Sequence, residues 1–105
     1  MVETEHIYST LRGEGPEMDA LIAEFIGRLP HFRSEIDGAL EQKNRGALKE
    51  AVHKIKGLGG GYGYVELTSL ARKVEQEIAN NNEVTLAETT QQLILYIDRI
   101  IASGL

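Results

Sequence analysis

The stretch 18–40, MDALIAEFIGRLPHFRSEIDGAL, decides the fold of this chain. Its apolar residues recur every three or four positions, which is the spacing of one face of an α-helix. These residues are Met18, Leu21, Ile22, Phe25, Leu29, Phe32, Ile36 and Leu40. Pro16 suits the first turn of a helix. Pro30 lies midway, yet the apolar phase continues through it, so the stretch predicts either one kinked helix or two helices stacked nearly in line.

Three further helical segments follow, joined by short connections. Asn44 can cap a second helix, a third begins near Tyr64 and ends within 80–82, and a fourth begins near Thr85. The predicted inner faces are Leu48, Val52, Ile55 and Leu58 or Gly59 in the second helix, Leu67, Leu70, Ala71, Val74 and Ile78 in the third, and Leu86, Thr90, Leu93, Ile97 and Ile100 in the fourth.

No segment alternates with the period of two that is typical of a β-strand. The sequence therefore predicts an all-α protein. Because the connections are short, the helices are expected to pack as an antiparallel four-helix bundle over residues 16–105. Residues 1–15 are predicted to form a short N-terminal arm that Ile7 and Leu11 attach to the bundle.

Composition limits the classes of function. The 105 residues suffice for one domain, and the absence of Cys excludes disulfide scaffolds, thiol catalysis and cysteine-ligated zinc. Apolar runs are only a few residues long, so no membrane helix is expected, and the composition fits a cytoplasmic protein. The histidines, His6, His31 and His53, lack the spacing of paired metal ligands on one helix, so no metal site is predicted.

The formal net charge of −5 is unevenly distributed along the chain. The first 24 residues hold six acidic residues against Arg12, whereas residues 43–56 hold five basic residues against Glu50. This basic cluster is either a solvated helix face or a site for an anion or an acidic partner. Nucleic acid is not expected as a partner, because the domain is acidic overall and the cluster has no aromatic residue to stack on bases.

Five of the 11 glycines lie between Gly57 and Gly63. They do not form a nucleotide-binding loop, because the third glycine of Gly-x-Gly-x-x-Gly is missing in every register and no strand precedes them. Glycine inside a helix costs up to about 1 kcal/mol relative to Ala. The cluster therefore marks either a loose helix end or places of close approach, with Gly59 against the next helix and Gly57 and Gly60 on the surface.

His53 is predicted to face water, because it lies about 150° from the centre of the second helix's inner face. Lys49 lies on the same outward face one turn earlier, and Lys56, Gly57 and Gly60 follow within two turns. An exposed neutral imidazole is a usable nucleophile, lysines attract a phosphoryl group, and glycines let a partner's backbone approach. The alternative is that His53 is an ordinary surface histidine.

The segment 51–57, AVHKIKG, with Gly63 ten residues after the histidine, resembles the histidine-containing phosphotransfer (HPt) domain. The pattern of that family is His-x-x-Lys-Gly, followed by small residues and a further glycine. The similarity continues into the next helix through Leu67, Leu70, Ala71, Val74 and Glu75. The stretch 59–62, GGGY, is richer in glycine than the small-residue run usual in the family.

The resemblance implies a phosphoryl carrier that has no kinase activity of its own and holds no nucleotide, metal or other cofactor. It implies that His53 accepts phosphate on Nε2, that Lys56 lies beside the phosphoryl group, and that Gly57 is one of the family's glycines. Lys49 and Gly60 are added from helix geometry alone, as residues near the phosphoryl group or the receiver. The implied partners are receiver domains of hybrid histidine kinases and of response regulators, and the chain is expected to be monomeric.

The sequence leaves open two alternative functions, a kinase's dimerisation helix pair and a helical adaptor, and the placement of two tyrosines. A kinase's dimerisation helix pair places an acidic residue directly after its histidine, whereas this chain has Lys54 there, and no ATP-binding domain is recognisable in the 105 residues. A helical adaptor would leave His53 as a surface residue without chemistry. Tyr62 and Tyr64 flank the site either as core residues or as partner contacts, and the core positions are favoured because they lie at a helix junction.

Overall fold

The structure is a computed structural model that describes residues 6–105. Four α-helices form the protein: α1 (Pro16–Glu41), α2 (Arg45–Gly59), α3 (Val65–Ala79) and α4 (Glu83–Ser103), with a 3₁₀ turn at Gly60–Tyr62 between α2 and α3. Each helix packs against the next in chain order, and α4 closes the ring against α1. The described residues contain no strand. The predicted all-α four-helix bundle is confirmed.

Helix α1 is one continuous helix with Pro30 inside it, which decides between the two interpretations of this stretch. Pro16 occupies its first turn, as predicted. The buried residues of α1 are Ile22, Phe25, Leu29, Phe32, Ile36 and Ala39. The inward position predicted for Leu21 is wrong, because this side chain is 46% exposed. Leu21 shares the helical face of Phe25, one turn later, but this face is not covered at position 21.

Asparagine side chains begin two of the helices. The side chain of Asn44 accepts a hydrogen bond from the N–H of Ala47 at 3.0 Å, which confirms the predicted cap of α2. Asn82 accepts from the N–H of Thr85 in the same way, so α4 begins at Glu83, two residues earlier than the sequence predicts. The buried face of α2 is Leu48, Ala51, Val52, Ile55 and Gly59.

The α2–α3 junction is held by aromatic packing. Tyr64 is 2% exposed, and the ring of Tyr62 stacks on Phe25 with centroids 4.6 Å apart. The prediction that both tyrosines are core residues is therefore confirmed for Tyr64, and Tyr62 is half-buried against the core. Burial of the Tyr64 hydroxyl raises its pKa.

The described part of the N-terminal arm, residues 6–15, lies over this junction. Ile7 and Leu11 pack against the core, as predicted. The Ser9 hydroxyl donates to the carbonyl oxygen of Tyr62 at 2.6 Å, and the N–H of Thr10 donates to that of Gly63 at 3.0 Å. The first five residues of the predicted arm lie outside the described residues. The arm thus fixes the turn that ends the helix carrying His53.

Candidate functional site

His53 lies on the outward face of α2, and its side chain is 68% exposed. Its neighbours Val52 and Ile55 are fully buried and hold this segment of α2 to the core. Because successive helical residues are about 100° apart, burial of these two positions directs position 53 to the surface. The predicted exposure of the imidazole is confirmed.

The imidazole has a partner that the sequence interpretation did not identify as a site residue. Glu75, on α3, has one carboxylate oxygen 3.0 Å from Nδ1 of His53. Its other oxygen accepts a hydrogen bond from Nζ of Lys56 at 2.6 Å. The carboxylate is 19% exposed and therefore bridges two side chains of α2 from the neighbouring helix. In the sequence, Glu75 belonged only to the family-like pattern of the third helix, and nothing local relates it to a histidine 22 residues earlier.

The charge of Glu75 determines which nitrogen of His53 is available. The hydrogen bond from Lys56 holds the pKa of Glu75 below its ordinary value, and the contact with His53 adds to this effect. An ionised carboxylate only accepts hydrogen bonds, so Nδ1 of His53 must carry the proton in their contact. In a neutral imidazole the second nitrogen, Nε2, then has a free lone pair. No hydrogen bond from residues 6–105 is found at Nε2.

The two predicted lysines have different surroundings. Lys56 is half-buried, and its ammonium is bound to Glu75 rather than standing free beside the imidazole. Lys49 is exposed and lines a shallow depression with Gly46, Glu50 and His53. Among the described residues Lys49 makes no ion pair, so no carboxylate of this part of the chain neutralises its charge.

The predicted site glycines are both exposed. A Cβ added at Gly57 would meet no atom within 4 Å, and one at Gly60 would meet only the Thr68 hydroxyl at 3.6 Å. Packing within the chain therefore does not require glycine at either position. Gly59 differs, because a Cβ there would lie 2.7 Å from the hydroxyl oxygen of Thr68. The predicted division between Gly59 at the helix contact and Gly57 and Gly60 on the surface is confirmed.

Two further features of the described residues bear on the site. Residues 6–105 contain no group of three or more His, Cys, Asp or Glu side chains that could hold a metal ion. In the same part of the chain, no helix combines the length and the apolar character needed to cross a membrane.

Comparison with known proteins agrees with this geometry. The family model described as "Hpt domain" matches residues 20–103, which is four-fifths of the chain and includes all four helices in whole or in large part. No curated protein and no solved structure matches the chain at a significant level. Hpt domains act in histidine phosphotransfer in phosphorelays and interact there with receiver domains. The chain belongs to the Hpt domain family.

Proposed function

We propose that His53 accepts a phosphoryl group from the aspartyl phosphate of one receiver domain and passes it to the aspartate of another. The observation that carries this proposal is the exposed imidazole whose Nδ1 is bound to Glu75 and whose Nε2 is open to solvent. An imidazole held in this way is a nucleophile with a fixed direction of attack.

Transfer requires one bond to form and one to break. The lone pair of Nε2 attacks phosphorus, the P–O bond of the aspartyl phosphate breaks, and the receiver's carboxylate leaves with the electron pair. The ring then carries the phosphoryl group on Nε2 and the proton on Nδ1. The ring is cationic at that stage, and the adjacent carboxylate of Glu75 stabilises it. The reverse of these steps passes the phosphoryl group from Nε2 of His53 to the aspartate of a second receiver.

Two lysines supply positive charge for the phosphoryl group. Lys49 is exposed one turn before His53 and has no ion-pair partner among the described residues. The ammonium of Lys56 is close by, but it must share its charge with Glu75. We therefore assign attraction of the incoming phosphoryl group to Lys49 and contact with the bound phosphoryl group to Lys56.

The receiver contact is assigned to the exposed surface beside His53. Gly57 and Gly60 present bare backbone there, and Gly61, which follows, also has open space at its Cβ position. Leu21 of α1 is exposed one turn before Phe25, which stacks on Tyr62, and we assign it to this surface as an apolar contact. Bare backbone next to an apolar side chain allows a close and partly hydrophobic contact.

We expect the carrier to act as a cytoplasmic monomer without kinase activity of its own.

The test uses three histidine variants and a panel of phosphorylated receiver domains. We expect wild type, His6→Gln and His31→Gln to acquire acid-labile, alkali-stable phosphate, and His53→Gln to acquire none. Phosphate on the His53→Gln variant would show that the assignment of His53 is wrong. A wild-type chain that binds receivers but never accepts phosphate would instead indicate a helical adaptor. Incubation with ATP alone is expected to leave every variant unlabelled, and labelling would indicate a kinase.

A further inference from the structure

Thr68, on α3, makes a pair of hydrogen bonds to the backbone of α2. Its hydroxyl oxygen accepts from the N–H of Gly60 at 2.8 Å and donates to the carbonyl oxygen of Lys56 at 3.1 Å. These two backbone groups, four residues apart, are the donor and the acceptor of one helical turn. The hydroxyl therefore bridges the last turn of α2, immediately after the segment that carries His53.

The absence of a side chain at Gly59 makes this contact possible. A Cβ at Gly59 would lie 2.7 Å from the hydroxyl oxygen of Thr68 and 3.2 Å from its backbone nitrogen. The start of α3 thus approaches α2 closely at the position of the hydroxyl. Residues 59–61 are all glycine, the least favourable helix residue after proline, so this end of α2 has little intrinsic preference to stay helical.

Thr68 and Glu75 act on the same lysine from the same helix. They are seven residues apart, which places them within about 20° of each other on α3. Thr68 binds the backbone carbonyl of Lys56, and Glu75 binds its ammonium group. Lys56 is thus held at both ends, and the carboxylate that holds its ammonium also holds Nδ1 of His53.

We propose that Thr68 is a positioning residue for phosphotransfer, an inference that rests on the proposed function of His53. By pinning the last turn of α2 to α3, Thr68 sets the position of Glu75 relative to His53 and Lys56. Without its hydroxyl, the glycine-rich end of α2 moves away from α3. The contact of Glu75 with Nδ1 then lengthens, and the imidazole no longer keeps its proton on that nitrogen.

The experiment compares Thr68→Val, which keeps the shape of the side chain, with Thr68→Ser, which keeps the hydroxyl. Thr68→Ala is included because its smaller side chain cannot crowd the contact between α2 and α3. Thermal unfolding monitored by circular dichroism establishes that each variant is folded. Thr89→Val is the matched control, since it removes a threonine hydroxyl that binds Glu77 between α3 and α4, away from α2. The readouts are the ring ¹⁵N chemical shifts of His53 and the rate of His53 phosphorylation by phosphoramidate.

We expect Thr68→Val and Thr68→Ala to lose the Nδ1–H tautomer preference and to be phosphorylated on the order of tenfold more slowly. Thr68→Ser and Thr89→Val should both behave as wild type in the two readouts. Wild-type tautomer and rate in folded Thr68→Val and Thr68→Ala would overturn the proposal. If wild type itself accepts no phosphate, the proposed function fails, whereas the tautomer comparison still decides whether Thr68 positions the imidazole.

Discussion

The glycines at the end of α2 occupy two contrasting surroundings. Gly59 and Gly63 are buried, and a Cβ at either would collide with an atom of the chain, Thr68 in one case and the N-terminal arm in the other. Gly57 and Gly61 are exposed, and a Cβ there would meet nothing within 4 Å. One face of this segment therefore needs glycine for the fold. The exposed glycines on the other face lower helix stability, although no contact within the chain requires them. The close approach of a partner to His53 would explain why glycine occupies these positions.

The largest effect is expected at the packed face, for Gly63→Ala. The φ of Gly63 is +86°, and an added Cβ would lie 2.2 Å from the Ser9 hydroxyl and 2.9 Å from the backbone nitrogen of Thr10. We expect a loss of about 3 kcal/mol in the free energy of unfolding, from backbone strain and displacement of the arm. Urea unfolding measures it, with Gly61→Ala as the matched control at an open position. Equal stability of the two variants would contradict the distinction between packed glycines, such as Gly63, and open ones, such as Gly61.

At the exposed face we expect Gly57→Ala to change stability and function in opposite directions. The domain should become more stable by up to about 1 kcal/mol, because alanine favours a helix and meets no atom here. Transfer from a phosphorylated receiver should slow about fivefold, as expected for a methyl group placed in a contact surface. Phosphorylation by phosphoramidate should be unchanged.

The control for this variant is Gly27→Ala in α1, where a Cβ also meets open space. It should stabilise the domain by a similar amount and leave receiver transfer unaffected. Undiminished receiver transfer in Gly57→Ala would mean that no partner approaches this face closely.

The smallest effect is a pH dependence from Glu75, which contacts His53 and Lys56 beside these glycines. Its pKa is lowered in the folded protein, chiefly by Lys56, so its contribution to stability is present above the ordinary value of 4.5 and is lost as pH falls through the lowered pKa. Glu75→Gln should therefore be less stable than wild type by roughly 0.5 kcal/mol at pH 7, and the difference should be smaller near pH 2. The exposed Glu88→Gln is the control for urea unfolding at both pH values. A wild-type minus Glu75→Gln difference that does not change with pH would contradict this electrostatic account.

The sequence predicts those features that depend on residues close together along the chain. The cap at Asn44 follows from the capping preference of asparagine, and the exposure of His53 and the burial of Gly59 follow from helical spacing within α2. The structure confirms all three. Leu21 was misplaced because helical spacing identifies the face of a helix but not how far neighbouring elements cover that face.

The contacts between α2 and α3 were not predictable in the same way. Glu75 meets His53 across 22 residues of chain, and the Thr68 hydroxyl meets the Lys56 carbonyl across 12. Both contacts depend on the register of two packed helices, and the close approach at Gly59 is part of that packing. A pattern within one helix carries no information about that register. The exposure of His53 was therefore predictable from the sequence, whereas the groups that contact its ring were not.

The most direct test of the account is the position of the phosphoryl group on the His53 ring. Long-range ¹H–¹⁵N NMR of the chain, before and after treatment with phosphoramidate, distinguishes the two nitrogens. We predict a free imidazole protonated at Nδ1 and a phosphorylated form with phosphorus on Nε2 and the Nδ1 proton retained beside Glu75. A free ring protonated mainly at Nε2, or phosphorus on Nδ1, would contradict the account.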